Sequence, residues 1–507
     1  MIALLLIVVP LLSGLLSFFV KNERTVRSWA LFSSIVTLVV SGLGLTLLNK
    51  PANLEFEAQW LGNLGSSFAI KLDGMGQLLC LLTAISFPVI LAATWNTSYK
   101  KVNSFFGLML LSQAGLMGVF LAMDALLFYF FWELALIPVY FLCSQWGGER
   151  RIQVTFKFFI YTFVGSLLML IGIIYLYQQT PDHSFSIASF YNLKIPQQSQ
   201  GWIFWLFFIA FAIKMPVFPF HTWQPDTYDQ SPTAVTMVLS GIMVKMGLLG
   251  VLRWLLPVVP FAAYNWSISV STLCIIGIIY ASLIAMKQDN LKRLIAYSSI
   301  AHIGLMCLAI FANNKISLQG VMIQMFNHGI NIIGLWILVE IMERQFGTKK
   351  MSDLGGLAQK APAMAIFFVV IAMANIALPL TNAFVGEFMM FNGVFQSTIY
   401  DGSYTLLGSI KLTAKSFGVI YTTFAGLGII LAAVYTLNMI RKVFYGNSNE
   451  LTNAATDIST NEKLVLSIIV VAIFMVGVFP NPMFELTNNI VDTIIEKTNV
   501  APFLQQH

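Results

Sequence analysis

Charge is what this sequence has least of. Of its 507 residues only 10% are Asp, Glu, Lys or Arg, against about a quarter in an ordinary globular chain. Cysteine is scarce as well. Cys80, Cys143, Cys274 and Cys307 each sit inside an apolar run, far apart along the chain, and none forms a CxxC or other metal-ligand spacing. That pattern excludes iron–sulfur and zinc sites, and all four read as small apolar packers. No GxGxxG follows a strand-like run and no phosphate-binding loop occurs. The sequence therefore shows no redox cofactor or nucleotide site of its own.

The N-terminal MIALLLIVVPLLSGLLSFFV lacks the positive charges that precede the apolar core of a secretory signal. Lys21, Arg24 and Arg27 follow it instead, so it reads as a retained first span. The net charge of +6 does not point to nucleic acid. Its basic residues lie in short loops between apolar runs, as membrane topology requires.

What the chain has is apolar length. Hydrophobic residues make up 58% of it, in runs of the roughly 20 residues that a bilayer core demands. These fall near 1–20, 28–48, 75–94, 104–122, 124–145, 154–177, 201–222, 233–255, 266–286, 293–312, 317–342, 361–397, 417–441 and 463–482. The expected fold is an all-α polytopic membrane protein of about fourteen spans, one transmembrane domain over 1–507. With lipid outside, only helix or protein-buried irregular backbone fills such depths. Threaded this way, one side holds 17 basic residues and the other, with Lys50 and Arg253 among them, holds 8. The richer side is then cytoplasmic and both termini lie outside.

Two spans are expected to break. In 201–233, GWIFWLFFIAFAIKMPVFPFHTWQPDTYDQSPT, an apolar run reaches Lys214 and then meets Pro216 and Pro219, each of which removes a backbone donor. The run 361–397 is too long for one straight crossing and contains Pro379 and Gly386. Broken helices five spans apart fit two inverted five-helix repeats, 104–255 and 266–441, followed by a C-terminal helix at 463–482.

Against this apolar background a few ionisable residues stand at mid-span: Glu133, Lys214, Lys245, His302, His328 and Glu387. Each costs a few kcal/mol or more if ionised and unpaired at that depth, so pairing, a change of protonation or water is required. Each also has a plainer reading. Glu133 serves as a structural partner of a neighbouring helix, Lys214 pins the break, the histidines bond across helices, and Glu387 caps freed amides. Similar depth on different helices forms a layer suited to lateral proton movement. A nearby carboxylate favours the ammonium form of a buried lysine, while burial alone favours the amine. Making or breaking a Glu133–Lys214 pair would thus send a proton toward Lys245 and on to Glu387. Lys157 lies near the Arg150–Arg151 edge and snorkels. His221, Asp226 and Asp229 serve either cytoplasmic entry or loop fixing, and Asp124 at the outer turn is structural.

FPFHTWQPDTY after Lys214, GIMVKMGLLG, DNLKRLIAYSSIAHIG at 289–304, NHG at 327–329 and FVGEF at 384–388 together resemble the antiporter-like subunits of respiratory complex I. The resemblance covers roughly spans 3–13. Glutamate rather than lysine at 387 is similar to the M-type branch. It implies a proton relay through Glu133, Lys214, Lys245, His302, His328 and Glu387, and sister antiporter-like subunits as membrane partners. Flavin, iron–sulfur clusters and quinone are implied in other subunits of an NADH:quinone oxidoreductase, with no cofactor or metal in this chain. The length favours a bacterial inner membrane. Two departures stand out: LPLTNAFVGEF has leucine and alanine where glycines are usual, and Gln224 replaces a leucine. The alternative is a subunit of a multi-subunit sodium/proton antiporter, where lysine is expected at 387. A structural spacer is disfavoured by the midplane charges, and an autonomous redox enzyme by the missing ligands.

Overall fold

The computed structural model describes residues 1–46, 51–397, 404–406, 410–412 and 414–500. Lys50 and the end of the second apolar run lie outside the described residues. The chain is mostly helix, and among the described residues eleven helices are long and apolar enough to cross a membrane. Of the other expected runs, the first is the short apolar helix Ile2–Ser17 and the seventh is the Gln197–Lys214 helix, which stops at the break. The twelfth is two half-helices, Pro362–Asn375 and Asn382–Phe395.

The chain divides into two compact units. Met1–Met215, Gln230–Ala263 and Leu486–His507 make the first, and Pro216–Asp229 with Tyr264–Glu485 the second. The chain thus changes unit at the break after Lys214. The units differ in bounds from the expected repeats 104–255 and 266–441: both take in flanking helices, and residues 216–229 fall in the second unit.

In the first unit, a hairpin absent from the sequence reading pairs Glu55–Leu61 with Ser66–Lys71. Asp124 organises it. Its carboxylate accepts from the Ser66 hydroxyl, from Ser67 N–H and from Leu127 N–H, which caps the Ala125–Trp146 helix. The structural role expected for Asp124 is what its contacts describe. Arg253 is not a loop residue. It is 2% exposed, donates twice to the Asp73 carboxylate at 2.7 and 2.6 Å, and donates to Phe120 O. From Leu486 onward the amphipathic helix Asn481–Lys497 joins this unit, burying Thr487, Val491 and Ile494.

In the second unit, ion pairs tie the helix ends on the basic side: Lys292 to Glu343, Arg344 to Glu462 and Lys349 to Asp229. The Pro362–Asn375 helix has no cap from its own flank. Asp457 supplies one, accepting from Ala363 and Met364 N–H at 3.0 Å each. Partial burial opposes its ionisation. The Ala363, Ile458 and Met364 N–H groups and Lys463 outweigh that and hold the carboxyl below the ordinary carboxylate range.

Candidate functional site

A buried lysine has to end somewhere, and the two in the first unit end differently. Lys214 is the last residue of the Gln197–Lys214 helix, where Met215 N–H still reaches Phe211 O before the backbone turns away. Its side chain is 2% exposed. Nζ has no hydrogen-bond partner. Instead it lies 5.5 Å from the Trp132 ring centroid and 6.0 Å from that of Phe158, within the range of a cation–π contact. Glu133, the residue after Trp132, is half-buried and within electrostatic reach of Lys214. Ser166 is its hydrogen-bonding neighbour, and Oε1 has no partner. The expected Glu133–Lys214 pair is therefore brought together but left open, with no direct hydrogen bond between the two.

Lys245 lies in the Thr233–Leu255 span, which is not regular helix. Five-residue π-helical segments at Leu239–Met243 and Val251–Leu255 flank the α-helical Val244–Gly250. Such widened turns free carbonyls and recur at functional sites. Lys245 uses one of them, with Nζ donating to Ser240 O at 3.1 Å, and the residue is completely buried. Gly247 fixes the approach to Lys214. A Cβ there would lie 2.7 Å from Phe211 O and 2.8 Å from Met215 Cβ, so only glycine lets this span close on the end of the Lys214 helix.

In the second unit His302, His328 and Glu387 converge on one network. His302 Nδ1 is 3.1 Å from Glu387 Oε1, and its Nε2 is 3.4 Å from Asn375 Nδ2. The Asn375 amide nitrogen thus faces Nε2, and the carboxylate faces Nδ1. Gln324 Nε2 also donates to Glu387 Oε1, at 3.4 Å. His328 Nε2 pairs with the Ser299 hydroxyl at 3.1 Å, and the two imidazole rings are 5.9 Å apart. All three residues are under 10% exposed.

The break beside Glu387 spans 376–381 and contains Pro379, as expected. Gly386 lies within the second half-helix rather than at the break. Within the break Ala377 and Leu380 hold φ of +59° and +75°, a left-handed conformation that costs an L-residue ~1–2 kcal/mol. The neighbouring Lys315–Phe346 helix ties to both half-helices: Asn327 donates to Asn382 O at 2.7 Å and Asn331 to Ala374 O at 3.3 Å. Gly477 leaves room for the bend, since a Cβ there would come 2.2 Å from Leu380 O.

At the end of the seventh span the polar residues are tied down. Asp226 pairs with Arg293 at 2.7 Å, while Asp229 accepts from Asn290 and pairs with Lys349. Of the two readings of these aspartates, loop fixing fits the contacts. His221 is buried against Phe218 and Tyr280. Cys274 and Cys307, distant in sequence, are neighbours across two helices. The described residues contain no group of three or more His, Cys, Asp or Glu able to hold a metal.

Sequence reading missed Ser166, Asn375, Ser298, Ser299, Gln324 and Tyr435. Neutral polar side chains are common in buried helices, and only tertiary contact distinguishes these.

Residues 122–413 match the family described as NADH:quinone oxidoreductase/Mrp antiporter, TM. NADH-quinone oxidoreductase subunit M of Rickettsia prowazekii (strain Madrid E) is 34% identical over 505 residues, covering 97% of this chain and 98% of that protein. Subunit M of Escherichia coli (strain K12) is 33% identical over 518 residues, 96% of each. F(420)H(2) dehydrogenase subunit M of Methanosarcina mazei is 31% identical over 512 residues, 97% of this chain and 98% of that protein. The fold is similar to a chain of respiratory complex I from Thermus thermophilus, with a TM-score of 0.88 and 24% identity, covering 98% of this chain and 100% of that one. A chain of the Mrp complex from Dietzia sp. superposes with a TM-score of 0.83 at 18% identity, covering 98% and 99%. The chain belongs to the NADH:quinone oxidoreductase/Mrp antiporter transmembrane family, in its subunit M branch.

Proposed function

We propose that this chain is the proton-translocating subunit M of a membrane-bound NADH:quinone oxidoreductase. Protons move through Glu133, Lys214 and Lys245 in the first unit and His302, His328 and Glu387 in the second. The open Glu133–Lys214 pair carries this reading. A residue that only pins a helix gains by closing its ion pair, since an unpartnered buried ammonium is costly. A pair poised short of contact can instead close and open, changing which group holds the proton.

The transmembrane energy argues that the engine lies elsewhere. Carrying one charge against 100 mV takes about 2.3 kcal/mol, which in this reading is supplied by redox chemistry in other subunits. Flavin, iron–sulfur clusters and quinone belong to other subunits in this reading, and the sister antiporter-like subunits are the membrane neighbours. The chain spans a bacterial inner membrane about fourteen times, as two inverted five-helix repeats, with both termini periplasmic. Relatives bearing the subunit M name favour this over a sodium/proton antiporter subunit.

Glu387 gives the test. Glu387→Ala lowers proton uptake per donor oxidised, while Glu387→Lys, which restores an ionisable end, retains more of it. Proton uptake is read in inverted membrane vesicles. Equal loss in both variants contradicts a relay role for this position.

A further inference from the structure

The His302–Glu387 network opens into a small cavity of about 20 Å³, room for about one water. Its walls include His302, Glu387 and Tyr435 among apolar residues such as Ile278, Gly428 and Ala432. A second cavity, of about 340 Å³, is lined by Met286, Val434, Tyr435, Leu437, Asn438 and Arg441. Tyr435 belongs to both walls. The Ala414–Phe444 helix ends in Arg441 and Lys442, so the second cavity lies toward the basic side, cytoplasmic in the topology proposed above.

Tyr435 is 1% exposed, and its hydroxyl donates to Ser298 Oγ at 2.8 Å. Ser298 Oγ also accepts from Asn375 Nδ2 at 3.4 Å. The same amide faces His302 Nε2, and His302 Nδ1 meets Glu387. Hydrogen-bonding groups therefore run without interruption from the partition between the cavities to the terminal carboxylate. A phenylalanine would fill the same partition without the desolvation cost of a buried hydroxyl. The second cavity is roomy for water, whose share of liquid volume is about 30 Å³.

We propose that Tyr435 gates a proton inlet from the cytoplasmic face to the His302–Glu387 site, so that the second unit takes up protons directly. The ring blocks bulk water, and the hydroxyl passes protons. Its oxygen accepts a proton from water in the outer cavity as its own, turned away from Ser298 Oγ, passes to water in the inner cavity, where His302 and Glu387 receive it. Only O–H and N–H bonds break and form, and no electrons move. The inlet rests on the relay reading of His302 and Glu387.

The test compares Tyr435→Phe with Glu387→Gln in assembled complex, reading proton uptake per donor oxidised in inverted vesicles. Both variants should lose part of that ratio while assembly stays at the wild-type level. A lowered ratio in Glu387→Gln with an unchanged one in Tyr435→Phe overturns the inlet and leaves the relay standing; no change in either overturns both. Cysteine labelling supplies a readout independent of pumping. A membrane-impermeant thiol reagent on the cytoplasmic face should label Asn438→Cys readily, but Ala432→Cys only when combined with Tyr435→Ala. An unlabelled Asn438→Cys, or equal labelling of Ala432→Cys with and without Tyr435, contradicts the gate.

Discussion

Glu133 and Lys214 show how much one unclosed contact asks of its surroundings. Trp132 and Phe158 offer ring faces to the ammonium, Ser166 attends the carboxylate, and neither group completes the other. Neutralising the carboxylate removes the negative charge that favours a proton on Lys214. Glu133→Gln is expected to leave assembly unchanged and to lower proton-coupled turnover by roughly tenfold, the effect of about 1.4 kcal/mol. Donor-to-quinone rates in native membranes, normalised to assembled complex, measure this; wild-type turnover would sink the open-pair mechanism. These residues were legible in the sequence because an ionisable group inside a long apolar run is conspicuous. Ser166, Asn375 and Ser298 were not, because a serine or asparagine in a membrane helix becomes distinctive only when a partner from another helix meets it.

At the scale of elements, prolines located the breaks but not their chemistry. Pro216 and Pro219 foretold the end of the Gln197–Lys214 helix, and Pro379 lies inside the second interruption. The π-turns flanking Lys245 have no comparable signal, since widening a turn removes no donor and needs no proline. The hairpin at Glu55–Leu61 was obscured because a search for long apolar runs passes over short strands. Leu380 and Ala377 hold left-handed backbone without being glycine. Leu380 is 68% exposed, so its side chain gives up little packing on removal. Leu380→Gly should stabilise the break by ~1 kcal/mol, the left-handed penalty less the extra entropy of glycine. A higher dissociation temperature of the purified complex is the expected result, and a lower one contradicts the strain argument.

Asp457 acts on the same span from its other end. Its carboxyl is held below the usual range in the folded chain, so its stabilisation is complete above the ordinary carboxylate pKa and is lost as pH falls through the depressed value. Asp457→Asn is expected to lower the dissociation temperature at neutral pH by the equivalent of up to ~1 kcal/mol, as for a partly exposed cap. That difference should vanish in acid. A difference that persists unchanged in acid would mean the carboxylate charge is not what caps the helix.

For the whole molecule, composition alone fixed the class: so little charge in so long a chain leaves no soluble alternative. The family followed from joint motifs and is carried by relatives matched over nearly the full length. The two compact units exchange chain at the Lys214 break, a feature no linear reading reveals because it depends on which neighbours residues 216–229 pack against. Lys245 tests the account most directly, being completely buried in an irregular span where Ser240 O accepts from its Nζ. Lys245→Ala should give complex that assembles on a native gel but shows collapsed donor-to-quinone turnover and proton uptake. Full turnover with full proton uptake would make Lys245 structural and contradict the proton-relay account.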